Sequence, residues 1–205
     1  MSTVFHLVRH ADHGHVGTVL TGRMPGIDLS EAGRAQAGAL ARHLREGQTA
    51  ALFASPQPRA RQTAKILSAA VGVEVESAAA LDEIDFGRWT GKTFAALEDD
   101  PEWQRWNAER DLAATPAGDT MRMVAERITG FMEGLALRLP GATVCLVSHS
   151  DVIKAAVCRF SGRPFQSVDA FEISPAAVTT LALGPRGGKI LALNDCGHLA
   201  EEGVP

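Results

Sequence analysis

The feature that most constrains the fold is an alternation of short apolar segments with longer amphipathic ones. The clearest apolar segment, residues 142–147 (Ala-Thr-Val-Cys-Leu-Val), is a continuous run typical of a central parallel strand. Residues 4–8 and 50–54 form similar runs, and each is followed downstream by apolar residues at helical spacing. This order predicts an α/β fold: a three-layer α/β/α domain with a mostly parallel central sheet and helices on both faces.

The rest of the chain continues this pattern, and we interpret residues 1–205 as a single domain. Ser30 is the predicted N-cap of a helix that runs through Arg45. Apolar spacing predicts further helices over residues 58–71, 119–139 and 152–160, and short strands over residues 73–75, 178–183 and 189–193. The less regular residues 92–118, which contain two tryptophans and two prolines, are interpreted as a small helical cap inserted into the domain.

Composition narrows the classes of partner and compartment. The formal net charge of −4 offers no basic surplus for a nucleic acid backbone, so no nucleic acid partner is predicted. No apolar run approaches the roughly 20 residues of a membrane helix, and no signal peptide is evident. The three cysteines are widely spaced and are interpreted as small buried hydrophobes, which favours a reduced, cytoplasmic protein.

Polar side chains that suit phosphate chemistry follow the predicted strands. Arg9 and His10 end the first strand, and His149 ends the central one. Ligands in such folds bind beyond the carboxyl ends of the strands. Arg59 lies near the start of the helix that follows the second strand, where a cation opposes the helix dipole unless an anion binds nearby. Arg61, two residues on, is interpreted as a solvated surface residue.

An acidic segment supplies a candidate proton donor. Residues 81–91 (Leu-Asp-Glu-Ile-Asp-Phe-Gly-Arg-Trp-Thr-Gly) combine carboxylates with aromatic residues and glycines. A carboxyl group shielded by apolar neighbours has a raised pKa and can hold a proton for a leaving group. Together with the arginines and imidazoles, it completes the parts of a phosphoryl-transfer site without a metal. His10, His13 and His15 match no known zinc spacing, so no metal is predicted.

Several short motifs carry a family resemblance that spans nearly the whole chain. They are residues 7–10 (Leu-Val-Arg-His), 21–23 (Thr-Gly-Arg), 29–33 (Leu-Ser-Glu-Ala-Gly), 55–63 (Ser-Pro-Gln-Pro-Arg-Ala-Arg-Gln-Thr), 81–91 and 147–149 (Val-Ser-His). In this order the chain resembles the histidine phosphatase superfamily, the phosphatase branch of the phosphoglycerate mutase-like enzymes. The resemblance implies a small phosphorylated metabolite as substrate and no cofactor.

The resemblance also implies roles for individual residues. His10 would be the nucleophile that becomes phosphohistidine, and Arg9 and Arg59 would hold the phosphoryl oxygens, with His149 completing that pocket. Glu83 would protonate the leaving oxygen and then activate water. Because His10 must attack in its neutral form, its other ring nitrogen is expected to donate to a backbone carbonyl. Further phosphate or substrate contacts are expected from His13, Thr21, Gly22, Arg23 and Ser150.

Five residues depart from the family's pattern, and one of them, His13, takes the place of a common serine or threonine. Ala11 stands where glycine is usual, and Val16 stands where many members carry a phosphate-binding asparagine. Ser150 and Asp151 replace a Gly-Gly pair, and Asp151 brings a carboxylate close to the expected phosphate. We interpret Ser150 or Asp151 as the cap of the following helix. The alternative is that Asp151 tunes His149 or selects against some substrates.

Four functions remain open at this point. A metal-independent phosphomonoesterase is favoured, because the segment that follows Glu83 resembles phosphatases more than mutases. A phosphoglycerate-type phosphomutase would use the same phosphohistidine. The substitutions near the site also permit a phospholigand-binding protein without catalysis, and a metallophosphatase is the remote alternative. Whether the protein is a monomer or a homodimer is open as well.

Overall fold

A six-stranded mixed sheet lies at the centre of the computed structural model, which describes residues 1–45, 47–201 and 203–204. The strand order is β3-β2-β4-β1-β5-β6. The pairs β3-β2, β2-β4 and β4-β1 are parallel, and β5 runs antiparallel to both β1 and β6. The strands are β1 (Thr3–Arg9), β2 (Thr49–Ala54), β3 (Val75–Ser77), β4 (Thr143–Ser148), β5 (Val178–Gly184) and β6 (Gly187–Asp195).

Helices cover both faces of the sheet. They are α1 (Glu31–Leu44), α2 (Pro58–Val71), α3 (Phe94–Leu97), α4 (Pro101–Ala108), α5 (Met121–Arg138), α6 (Ser150–Ser161) and α7 (Gly197–Glu201), with 3-10 turns at Ala79–Leu81, Gly87–Trp89 and Phe165–Ala170. Helices α1 and α2 pack together on one face, and α5 and α6 pack together on the other. Within the described part of the chain, none of the helices is both long and apolar enough to cross a bilayer.

Alternating side chains of the central strands build a core on each face. In β4, Val144 and Leu146 belong to the apolar cluster that contains α5 and α6, whereas Cys145 and Val147 belong to the cluster that contains α1 and α2. This alternation follows from the two-residue period of a strand. The continuous apolar run of β4 is therefore explained by burial on both faces, as expected for a central parallel strand.

The predicted elements are confirmed with local differences. The bounds of α2 are as predicted, and Ser30 caps α1 by accepting a hydrogen bond from the backbone N–H of Gly33 at 2.9 Å. The third strand lies two residues later than predicted, at Val75–Ser77, because pairing with β2 decides its position.

The predicted cap of α6 is wrong. His149 occupies the N-cap position, and Ser150 and Asp151 already lie in the first turn of the helix. His149 continues the extended backbone of β4, while its carbonyl accepts the first helical hydrogen bond, from Ile153 N–H at 3.0 Å. The helix thus starts immediately after the strand, so no residue is left to serve as a separate polar cap.

Candidate active site

The parallel strands end at one edge of the sheet and bring three polar residues together there. In the register, Arg9 of β1 pairs with Ser148 of β4, and Ala54 of β2 lies opposite Val147. The next residues along the three strands, His10, Ser55 and His149, therefore converge beyond this edge. The His10 backbone N–H also donates to the Ser148 carbonyl at 2.9 Å, which extends the β1–β4 pairing into the site.

His10 is buried and held in one tautomer. Its Nδ1 lies 2.8 Å from the Ala11 carbonyl oxygen, which can only accept, so Nδ1 carries the proton. Its Nε2 is then an acceptor, and it receives a hydrogen bond from Arg59 Nε at 3.2 Å. Burial, together with the charges of Arg59 and Arg9, lowers the pKa of His10 well below its usual range. The ring is therefore neutral, with its Nε2 lone pair turned towards a guanidinium group.

Two arginines place their charges near the His10 ring and keep unused donors. Arg59 is almost fully buried and donates through Nη2 to the Gly22 carbonyl at 2.8 Å, yet its Nη1 has no hydrogen-bond partner among the described residues. Arg9 donates through Nη1 to the Ile173 carbonyl at 2.6 Å, and its buried Nε likewise has no partner there. A buried donor without a partner is costly, and an anion held between the two side chains would satisfy both.

His149 is fully buried beside Arg59. Its Nδ1 lies 3.1 Å from Arg59 Nη2, which can only donate, so the proton is on Nε2, 2.7 Å from Ser55 Oγ. Burial first, and then the neighbouring Arg59 charge, lower the pKa of His149 well below its usual range. In this neutral state both ring nitrogens are engaged, so His149 orients Arg59 and offers no free N–H to a ligand.

Glu83 places a carboxyl group beside these side chains. Its Oε2 lies 3.5 Å from His149 Nδ1 and 3.8 Å from Arg59 Nη2. Burial first, and then the carboxylate of Asp151, raise the pKa of Glu83 to about 7. The backbone carbonyl of Glu83 accepts a hydrogen bond from Arg127, which also holds the Asp82 carbonyl. The site therefore contains a positioned acid that is close to half protonated at neutral pH.

A cavity of about 290 Å³ opens over this cluster. Of the residues predicted from the sequence, seven line it: Arg9, His10, His13, Thr21, Gly22, Glu83 and Ser150. Arg59 and His149 contact those residues without lining the cavity themselves. Six apolar residues also line the cavity; they come from the loop after β1, from the segment that carries Glu83 and from the cap: Val16, Val19, Leu20, Phe86, Phe94 and Trp103. Gly17 and the polar residues Asn107, Arg110 and Asp151 complete the wall.

Arg23, which the sequence predicts to contact the substrate, is not among the residues that line this cavity. Its Nε donates to the Glu83 carbonyl at 2.8 Å, and its guanidinium lies within 3.6 Å of carboxylates of Asp82, Asp85 and Asp119. Three acids thus hold the side chain against the segment that carries Glu83. Arg23 therefore supports the position of Glu83, and its contact with a substrate stays a prediction.

The positions that depart from the family's pattern fit the site without strain. Ala11 is fully buried in the α1–α2 core, and among the described non-glycine residues only Ala176 and Asn194 have positive φ angles, so its methyl group needs no left-handed backbone. The ring of His13 lies 5.2 Å from that of His10, and burial lowers the pKa of His13 to about 4. No group of three or more potential metal ligands occurs in the described residues.

Sequence reasoning missed Arg110 and Asn107, which line the cavity from the cap. Arg110 is buried and stacks on Trp106, with its Cζ 4.8 Å from the ring centroid. It follows the helix α4 in a segment that the sequence shows only as irregular. No local signal in the sequence identified Arg110, because the direction of its side chain depends on tertiary packing.

Comparisons with known proteins agree with this geometry. A sequence model of the histidine phosphatase superfamily (branch 1) matches residues 5–196. Phosphoserine phosphatase 1 of Hydrogenobacter thermophilus is 32% identical over 200 residues, which cover 95% of this chain and 93% of that protein. A protein of Arabidopsis thaliana named metal-independent phosphoserine phosphatase is 27% identical, over 93% of this chain and 82% of its own length.

Solved structures give the same picture. A phosphoserine phosphatase mutant of Entamoeba histolytica in complex with phosphoserine superposes with a TM-score of 0.87 at 23% identity, over 96% of this chain and 99% of that chain. A mycobacterial glucosyl-3-phosphoglycerate phosphatase in complex with VO3 gives a TM-score of 0.84 at 27% identity, over 93% of this chain and 98% of that chain. The Entamoeba structure supports the fold. The names of the two proteins give different substrates, phosphoserine and glucosyl-3-phosphoglycerate.

Proposed function

Because the chain belongs to the histidine phosphatase superfamily, we propose that it is a metal-independent phosphomonoesterase that works through phosphohistidine at His10. The family resemblance and the fold class predicted from the sequence are confirmed by these comparisons. The observation that carries the proposed mechanism is the neutral His10, whose Nε2 accepts from Arg59, with Arg9 as a second nearby charge; both arginines keep unused buried donors. This combination suits a nucleophile and the anion that it attacks.

In the first step, His10 Nε2 attacks the phosphorus atom and the bond from phosphorus to the ester oxygen breaks. Arg59 Nε, which donates to His10 Nε2 in the free protein, turns to a phosphoryl oxygen, and the unused donors of Arg59 and Arg9 take up others. These fixed charges stabilise the negative charge on the equatorial oxygens of the transferring group. A dianion beside His149 would also raise the pKa of that ring. Its protonated Nδ1 would then donate a hydrogen bond to a phosphoryl oxygen.

Glu83 serves both steps. Protonated, it gives its proton to the leaving ester oxygen, which departs as an alcohol. As a carboxylate, it then takes a proton from the water that attacks phosphorus, and the bond from phosphorus to His10 Nε2 breaks to release inorganic phosphate. A pKa of about 7 suits both directions of transfer at neutral pH.

Hydrolysis is proposed over mutase chemistry because the similar proteins named above are phosphatases. Their substrates differ, so their names do not select one for this chain. Incubation with 3-phosphoglycerate distinguishes hydrolysis from mutase chemistry, since a phosphatase yields inorganic phosphate and a mutase yields the isomer.

We further propose a reducing compartment such as the cytoplasm, because Cys145, Cys158 and Cys196 are all unpaired.

The phosphohistidine can be trapped directly. Rapid alkaline quenching after addition of a ³²P-labelled phosphomonoester should leave label on the protein that is stable to alkali and released by acid, as expected for a phosphorus–nitrogen bond. The label should map to His10 and be absent from His10→Ala. His43→Ala, which changes a histidine outside the cavity, should be labelled normally. Label on another residue, or turnover that survives in His10→Ala, would contradict the mechanism.

The raised pKa of Glu83 predicts the alkaline limb of the pH profile. Since the protonated form is needed for the first step, kcat/KM for glycerol 2-phosphate should fall as pH rises through about 7. Asp151→Asn removes a carboxylate that raises this pKa, so the limb should move to lower pH. Comparing variant and wild type on one substrate cancels the ionisation of the substrate itself. An unmoved limb would contradict the assignment of Glu83 as the titrating acid.

A further inference from the structure

A second pair of opposite charges lines the cavity, and neither of its members contacts the reacting atoms in the proposed steps. Asp151 acts on those steps only through the pKa of Glu83. Arg110, which follows α4, and Asp151, in the first turn of α6, reach it from the cap and from the sheet edge. Arg110 Nη1 and Asp151 Oδ2 are 3.8 Å apart, which is an ion pair but too long for a hydrogen bond. The two charges attract each other, but no hydrogen bond joins them.

Arg110 keeps donors that nothing in the described protein uses. Its Nη2 donates to Asn107 Oδ1 at 2.8 Å, while its Nε and Nη1 are buried without hydrogen-bond partners. The face of the guanidinium lies on the Trp106 ring, so the side chain cannot easily swing away to find water. An arginine fixed by stacking, with two unused donors in its plane, is prepared for a carboxylate.

The Asp151 carboxylate likewise has unused hydrogen-bond acceptors. Among the described residues no group donates a hydrogen bond to its carboxylate, and only a quarter of its side chain is exposed. Of the charged arginine and carboxylate side chains that line the cavity, Arg9 and Glu83 are committed to the phosphoryl group and its leaving oxygen. Arg110 and Asp151 are therefore the charges left to meet the rest of the substrate.

We propose that Arg110 and Asp151 determine specificity by binding a zwitterionic leaving group, so that the substrate is a phosphorylated α-amino acid. Arg110 takes the carboxylate and Asp151 takes the ammonium group. This inference rests on the proposed function and adds the substrate class to it. An α-amino acid carries both charges on groups joined to one carbon atom, which matches two protein charges that are close together but not in contact.

Leaving groups of other charge types match the pair less well. A leaving group with a carboxylate alone places a negative charge beside Asp151, and one with an ammonium alone places a positive charge beside Arg110. A neutral leaving group removes water from both side chains and replaces none of their interactions. Only the zwitterion satisfies Arg110 and Asp151 together, so discrimination against each of the others is expected.

Four substrates separate these cases: O-phosphoserine has both charges, 3-phosphoglycerate has the carboxylate, phosphoethanolamine has the ammonium group, and p-nitrophenyl phosphate has neither. We expect the wild type to prefer O-phosphoserine over 3-phosphoglycerate and over phosphoethanolamine by about 10-fold or more in kcat/KM, as loss of one charge-assisted contact implies. Equal values across these three would overturn the inference, whereas His10-dependent turnover of p-nitrophenyl phosphate would leave the proposed function standing. No turnover of any substrate would overturn both.

Variants assign the two charges to the two residues. Arg110→Met should reduce the preference for O-phosphoserine over phosphoethanolamine, and Asp151→Asn should reduce the preference for O-phosphoserine over 3-phosphoglycerate, each by about 10-fold. Ratios within one variant cancel any change in the acidity of Glu83. Arg105→Met is the matched control, because Arg105 lies on the exposed side of α4 and pairs with Glu109, so both ratios should stay at wild-type values. Ratios unchanged in both test variants would overturn the inference.

Discussion

Replacing Glu83 with glutamine should lower kcat/KM for glycerol 2-phosphate about 1,000-fold, and kcat/KM for p-nitrophenyl phosphate less than about 10-fold. The alkoxide of glycerol is a poor leaving group and needs the proton that Glu83 supplies, whereas p-nitrophenolate leaves without one. Glutamine keeps the shape of the side chain, so the cavity is preserved. The two substrates, assayed in parallel at pH 6.5, report the loss of the acid alone.

The same variant should also reveal the second step. Without a base for the attacking water, the phosphoenzyme should accumulate, and p-nitrophenyl phosphate should give a burst of nitrophenolate close to the enzyme concentration. Asp85→Asn is a suitable control, because Asp85 lies in the same segment but contacts Arg23 and does not line the cavity. Equal losses for both substrates, with no burst, would show that Glu83 has a structural role instead.

Gly33→Ala should destabilise the protein by about 2 kcal/mol and lower its melting temperature by roughly 4–8 °C. A methyl group at Gly33 would lie 1.9 Å from the backbone carbonyl oxygen of Asp12. Asp12 lies in the loop that begins at His10. Its carbonyl accepts a hydrogen bond from the Ser30 backbone N–H, and its own backbone N–H donates to Gln36 Oε1, both at 3.0 Å. The first turn of α1 and this loop would have to separate. Thermal unfolding and urea titration measure the loss.

Gly38→Ala in the same helix is the matched control. The added methyl group would meet only the end of the Arg42 side chain at 3.6 Å, which is ordinary contact. Because alanine is favoured over glycine in a helix interior, this variant should gain roughly 0.5–1 kcal/mol. A loss of stability in Gly38→Ala comparable to that in Gly33→Ala would mean that close approach to Asp12 is not the cause.

Local signals predicted those features that local physics determines. The bounds of α2 follow from Pro58 at its start and Gly72 in the left-handed region at its end. The buried position of Arg59 beside an anion-binding edge follows from the cost of placing a cation at a helix start. For α2 the deciding interactions lie within one turn of its ends. For Arg59 the helix start identifies the residue, whereas its partners His10, Gly22 and His149 lie far along the chain.

Features decided by distant partners could not be predicted. Arg23 belongs to a motif of the family, yet its side chain turns to Asp82 and Asp119, far along the chain. Arg110 gave no local signal, because its importance depends on the first turn of α6 lying across the cavity. The requirement for Gly33 likewise comes from a carbonyl in another segment, which spacing and composition do not show.

The position of β1 in the sheet determines when the active site can form during synthesis. Among the six strands of this sheet β1 is synthesised first, whereas its neighbours β4 and β5 are synthesised fourth and fifth, and Val8 pairs with both Val147 and Val178. Contacts of such long range form late, because the intervening chain must first be closed into a loop. His10 is therefore synthesised before β4 and β5 but positioned only after both strands have formed, so a chain that stalls before β4 contains the nucleophile without the residues that position it.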